Sequence, residues 1–373
     1  MSILRTMIFG VLILSSGLAQ AARIVCEEYS GYPGENSSIA LSGAISVGAD
    51  VPVGTVVYTA SYTTATASGI RCTAPDEPEG GDKISNIRVP YRSVITSYPY
   101  PEVPGMTVDG NQVYRTNLDG IGVYFRLSSG SADTVIGGGI VSGRYETSRV
   151  FLVKTGPVSP GMVDGNSLPA TGLEYTKPDN PEHTFEGFPI RANNLRYLGT
   201  LNVVASTCDL AESDIIVPMG SYDVSSFTGT GSATAWKDAS IRLQNCTAFS
   251  PGRYSKINNT ISHTGPGTFP TGVPDVKNRV QMRISPATPI IDYTQGIMKI
   301  ASSADAAEGV GIQLGVGTDI VNPIVLSGFF ESELPDSTSN TLTIPLKARY
   351  IQTRGPVKPG VANGAVTFTV SYY

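Results

Sequence analysis

Along residues 363–373, NGAVTFTVSYY, apolar and polar side chains alternate. Val366, Phe368, Val370 and Tyr372 fall on one face, and Thr367, Thr369 and Ser371 on the other. Successive side chains of a strand point to opposite faces, so this stretch predicts a half-buried β-strand. Similar short runs recur in GTVVYTASYTT, GIGVYFRLSSG, SRVFLVKTG, GTLNVVAS, KNRVQMRIS and LTIPLKARYIQT. Gly, Pro, Asn and Asp punctuate them, as they do between the strands of sandwiches. No stretch carries the 3.6-residue apolar period of a long amphipathic helix. The expected fold class is all-β.

A different pattern occupies the N-terminus. Met1 to Arg5 carries a positive charge, residues 6–14 (TMIFGVLIL) are almost wholly apolar, and LAQA sets Ala19 and Ala21 before a cut. Residues 1–21 therefore read as a secretory signal peptide cleaved between Ala21 and Ala22, with an apolar run too short to span a membrane. No second apolar stretch of spanning length follows, so an exported, soluble protein is expected. Its length suggests two or three domains, and two are expected. The boundary is expected near residue 198, where NNLRYLG gives way to TLNVVASTC, leaving 22–198 and 199–373.

Composition supports the strand reading, with 41 Gly and 26 Pro, and a net charge of −5 leaves no basic face for nucleic acid. Four cysteines, Cys26, Cys72, Cys208 and Cys246, lack CxxC spacing and have no histidine beside them, so disulfides are expected rather than a metal site. Three pairings are possible on paper. The cysteines form two sequence-local couples, which favours Cys26–Cys72 and Cys208–Cys246, one staple per domain. No cofactor is expected.

Taken in order, CDLAESDIIVPMGSYDVSSF (208–227), WKDASIRLQNC (236–246), AAEGVGIQLGV (306–316) and LKARYIQTRGPVKPGVANGAVTFTVSYY (346–373) resemble the pilin domain of chaperone–usher fimbriae. That resemblance implies that the second half is an immunoglobulin-like sandwich lacking its last strand, with the first half expected to be a second immunoglobulin-like sandwich. A periplasmic chaperone fills the resulting groove first, and the N-terminal extension of the next subunit replaces it after passage through the outer-membrane usher. It also implies that Val366, Phe368, Val370, Tyr372 and Tyr373 form the docking edge, with the carboxylate after Tyr373 gripped by the chaperone.

The first half, with its own cysteine couple and VYRTNLDGIGVYFRL (113–127), is similar to the N-terminal domain of two-domain fimbrial adhesins, which bind host or surface glycans. Between the expected start at Ala22 and Cys26 stands only ARIV. At ~3.3 Å per strand residue that is too short to fill a neighbour's groove. The chain is therefore expected to accept a strand without donating one, and to sit at the fimbrial tip on the bacterial surface.

Sugar recognition needs an aromatic face for ring C–H groups and fixed polar partners for hydroxyls. PDEPEGGD (75–82) offers Asp76, Glu77, Glu79 and Asp82 just after Cys72, and YRSVITSYPYP (91–101) offers Tyr91, Tyr98 and Tyr100. Asp76 and Asp82 are the nearest matches in placement to acidic pocket residues of mannose-binding type 1 fimbrial adhesins. The residues around Ala22 do not match, so mannose specificity is not carried over. The competing readings are a solvated acidic turn and tyrosines packed on a sandwich rim. Enzymatic chemistry has little support: the two histidines, His183 and His263, lie in separate expected domains, and no HExxH or P-loop spacing occurs. The expected function is receptor binding by a tip adhesin. The alternatives are a minor structural tip or adaptor subunit, and a secreted glycosidase using Asp76 and Asp82.

Overall fold

The structure is a computed structural model that describes residues 21–76, 87–134, 143–247, 260–262, 276–333 and 340–372. Residues 1–20 of the expected signal peptide, together with Glu77, Glu79, Asp82, His263 and Tyr373, lie outside the described residues. Regular structure among the described residues is strand throughout, apart from 3-10 turns at Gly165–Ser167 and Val224–Ser226.

The first half is a sandwich of two large sheets. One runs Ser129–Thr134, Ile87–Ser97, Ala170–Tyr175, Asn193–Ser206, Gly161–Asp164, with Glu35–Leu41 and Ala44–Gly48 parallel to Asn193–Ser206. The other runs Thr260–Ser262, Val56–Thr63, Thr147–Lys154, Ile121–Arg126, Asn111–Arg115, Glu102–Val108, its first two strands parallel. Alternation explains the core between them. Tyr58, Ala60 and Tyr62 of one strand and Val150 and Leu152 of the next meet Ile39, Leu41, Leu195 and Tyr197 of the opposite sheet. Each buried Val, Leu or Ile among them contributes about 1.5–3 kcal/mol by leaving water. A smaller sheet, His183–Glu186, Ala22–Pro33, Ser68–Thr73, holds the Cys26–Cys72 bond directly across two antiparallel strands.

Asn193–Ser206 organises this half. Leu195, Tyr197, Leu201 and Val203 all face the core, and the strand exchanges one parallel neighbour for another along its length. Gly199 stands at the exchange with φ of +71°, where a Cβ would lie 2.5 Å from the Leu41 carbonyl oxygen, so only glycine fits. The boundary expected near residue 198 falls inside this strand, and strands pairing with the C-terminal half begin at Asp209–Leu210.

The second half is also a sandwich. Arg279–Pro286 lies between Phe330–Glu333 and Val366–Tyr372, Ile241–Gln244 lies between Asp209–Leu210 and Leu342–Ile344, and Leu346–Gln352 pairs with Val310–Val316. Inward residues of all three groups, among them Leu243, Met282, Leu314 and Leu346, share one core. Cys208 and Cys246 are bonded at its edge. The halves meet where Thr260–Ser262 pairs in parallel with Ser61–Thr63 of the first half, and where the Tyr372 backbone N–H donates to the Asp50 carboxylate at 2.9 Å.

Candidate functional sites

Two features stand out, an unfinished strand edge in the second half and a polar recess in the first. The edge belongs to Val366–Tyr372. This strand pairs antiparallel with Arg279–Pro286 on one side, and among the described residues no strand pairs with its other side. Its apolar row is incompletely covered. Val366, Phe368 and Val370 are half-buried, whereas Val280, Met282 and Ile284 opposite are 2, 1 and 5 % exposed. Thr367 and Thr369 face water.

Residues 211–223 show the same unfinished character. Ile215, Val217 and Met219 rest half-buried on the same core, Ile216 between them is exposed, and the stretch joins no strand. The end of the edge is fixed. Tyr372 is buried, its hydroxyl donates to the Cys208 carbonyl at 3.5 Å, and burial pushes its phenol up to about 12. An extended segment laid along this edge would gain backbone hydrogen bonds and cover the apolar row.

The recess, of about 540 Å³, lies where Ile87–Ser97, Ala170–Tyr175, Asn193–Ser206 and Glu35–Leu41 run side by side. Side chains at alternate positions on these strands point outward, which brings Thr96, Asn194, Arg196 and Asn36 to its lining. Register sets Asn194 against Asn36, and the Thr96 hydroxyl donates to the Asn194 carboxamide oxygen at 3.4 Å. Small side chains at Ala170 and Ala192 also line the recess.

Three charges bear on the recess. Arg191 is met by Glu174 at 3.7 Å, and Glu174, with a side chain 9 % exposed, also receives Arg92 at 3.0 Å. Arg196 is exposed and has no ion-pair partner among the described residues. Glu28 is the single carboxylate of the lining.

A buried polar group adjoins this face. Asn193, 4 % exposed, accepts from the Glu35 backbone N–H at 2.8 Å through its Oδ1, and its Nδ2 faces the Glu146 carboxyl without closing a hydrogen bond. Burial raises the Glu146 pKa to about 7, with Asn193 and Ser93 pulling in the opposite direction. Nearby, the Tyr197 and Ser148 hydroxyls lie 2.9 Å apart.

The residues expected from sequence are only partly assembled. Asp76 pairs with Arg23 at 2.9 Å, Arg23 also holds Glu186 at 2.9 Å, and Asp76 does not line the recess. Tyr98 and Tyr100 are exposed and flank Pro99, which does line it, while the Tyr98 ring packs 5.3 Å from that of Tyr114. Asn36, Asn194 and Arg196 escaped sequence reasoning because they converge from stretches far apart in the chain. Among the described residues no group of three or more His, Cys, Asp or Glu side chains could hold a metal ion.

Comparison with known proteins bears on the second half first. Residues 197–373 match the family model described as fimbrial protein. The sequence matches no curated protein. Among solved structures, the CupB6 tip adhesin from Pseudomonas aeruginosa is similar over 92 % of this chain and 93 % of its own, at 14 % identity and a TM-score of 0.33. The P pilus rod subunit PapA is similar over 44 % of this chain and 99 % of its own, at 16 % identity and a TM-score of 0.30. The receptor binding domain of the plasmid-born adhesin MrkD1P of Klebsiella pneumoniae is similar over 49 % of this chain and 98 % of its own, at 18 % identity and a TM-score of 0.26.

Proposed function

With residues 197–373 a fimbrial-protein domain, we propose that the chain is a fimbrial tip adhesin. Its second half accepts a donor strand, and its first half binds a receptor on a host or other surface, a glycan by the chemistry of its polar recess. The observation that carries this reading is the half-buried row Val366, Phe368 and Val370 on a strand with one edge unpaired among the described residues. Core rows of a finished sandwich are buried, and an unpaired edge beside exposed apolar side chains invites strand addition.

The other end of the fold supports tip placement. Ala22–Val25 pairs with His183–Glu186 and Val25–Glu28 with Ile70–Thr73, so this segment is taken up by the first half's own small sheet. The strand would come from a periplasmic chaperone during export and from the adjoining subunit after passage through the outer-membrane usher. Binding proceeds without turnover.

The test has two arms. Adding a peptide of alternating apolar residues should raise the thermal transition of the full chain's second half, by about 2.7 kcal/mol of stabilisation at a hundredfold excess over Kd. An unchanged transition defeats strand acceptance. A glycan array probed with the full chain should show specific retention without sugar release. An empty array defeats receptor binding, and steady release defeats the pure binding account.

A further inference from the structure

We infer that the receptor site is the recess at Asn36, Thr96, Asn194 and Arg196, and that its ligand is an acidic saccharide, a sugar bearing a carboxylate. This rests on the adhesin reading and specifies where and what the first half binds.

The charge balance comes first. Glu174 neutralises much of Arg191 at the rim, whereas Arg196 meets no carboxylate among the described residues. An exposed guanidinium with five N–H donors in a fixed fork is shaped to take a carboxylate through two parallel hydrogen bonds. Glu28 supplies the opposite sign, but as an acceptor it serves sugar hydroxyls, which donate.

The uncharged lining completes the match. Asn36 and Asn194 stand opposite each other in register, and each carboxamide can both donate and accept. Vicinal hydroxyls, each donor and acceptor at once, call for such partners. Thr96 already donates to Asn194 Oδ1 at 3.4 Å, which biases the Asn194 amide nitrogen toward a ligand acceptor. A volume of about 540 Å³ lies within the ordinary range of ligand sites and accommodates two or three sugar rings.

The test is titration of the full chain by calorimetry with sialyllactose, its neutral counterpart lactose, and hyaluronan oligosaccharides as a second carboxylate source. Sialyllactose or hyaluronan should bind at least about tenfold tighter than lactose, the range for a hydrogen-bonded charge. Arg196→Gln should remove that advantage, and Asn194→Ala should weaken acidic and neutral sugars alike. Arg196 is exposed, so the variant folds, and an unchanged thermal transition confirms it. Equal affinity for lactose, or Arg196→Gln binding acidic sugars as tightly as the parent, overturns the inference while leaving the adhesin reading intact. Failure of these sugars and of every sugar on the array overturns both.

Discussion

Replacing Glu146 by Gln should stabilise the first sandwich above neutral pH and leave it unchanged in acid. Glu146 is 2 % exposed, and its burial lifts the carboxyl from the ordinary 4.5 to about 7. A raised carboxyl favours the protonated form in the fold. Its contribution is fully present below about pH 4.5 and is lost as pH climbs through 7. The shift corresponds to roughly 3 kcal/mol at 1.36 kcal/mol per pKa unit. Glutamine keeps the shape and cannot ionise. The two proteins should unfold together near pH 4, diverge at up to ~1.4 kcal/mol per pH unit, and hold a constant gap above about pH 7. In a sandwich of this size that gap is a difference of about 6–12 °C in Tm at pH 8. Differential scanning calorimetry of the full chain and Glu146→Gln across pH 4–8 reads it directly. A gap that stays constant over that range would refute the reasoning, since it would show that ionisation of Glu146 does not differ between folded and unfolded chains.

Other consequences are simpler to measure. Leu152→Ala empties a fully buried site between the sheets and should lower stability by about 2–5 kcal/mol in urea unfolding. Replacing both Cys26 and Cys72 by Ser opens a loop closed across a sequence separation of 46 and should cost about 2–4 kcal/mol by the same assay under oxidising conditions. Phe368→Ser alters a half-buried position, so the chain alone should lose less than the ~3–5 kcal/mol of a buried phenylalanine, yet a donor peptide should no longer raise its thermal transition.

Much of the architecture was legible because strand patterning is local. Val366–Tyr372 and Arg279–Pro286 alternate strictly, and the side-chain rows found in the core are those that alternation selects. Disulfide partners were legible because each pair is local in sequence. The boundary near residue 198 was less so. TLNVVAS reads as a strand, but nothing local reveals that it continues NNLRYLG into one strand across Gly199. The recess was least legible. Its floor and walls come from residues near 36, 96, 170 and 194, and neighbours across a sheet leave no mark on sequence spacing. Exposed aromatic and acidic loops attract attention in a sequence, whereas asparagines facing outward from strands do not.

Asn194 and Arg196 lie near one end of the strand Asn193–Ser206, and the other end opens directly onto Thr207 and Cys208 of the second half. Tension between a ligand held at those two residues and the fibre would therefore pass along a single covalent backbone already extended, with almost no slack to draw out. Asn36 lies on the strand paired in parallel with this one, so pull shared with it would load the hydrogen bonds between the two strands together rather than one by one. Under flow this strand would act as a short, nearly inextensible tether between the ligand and the second half.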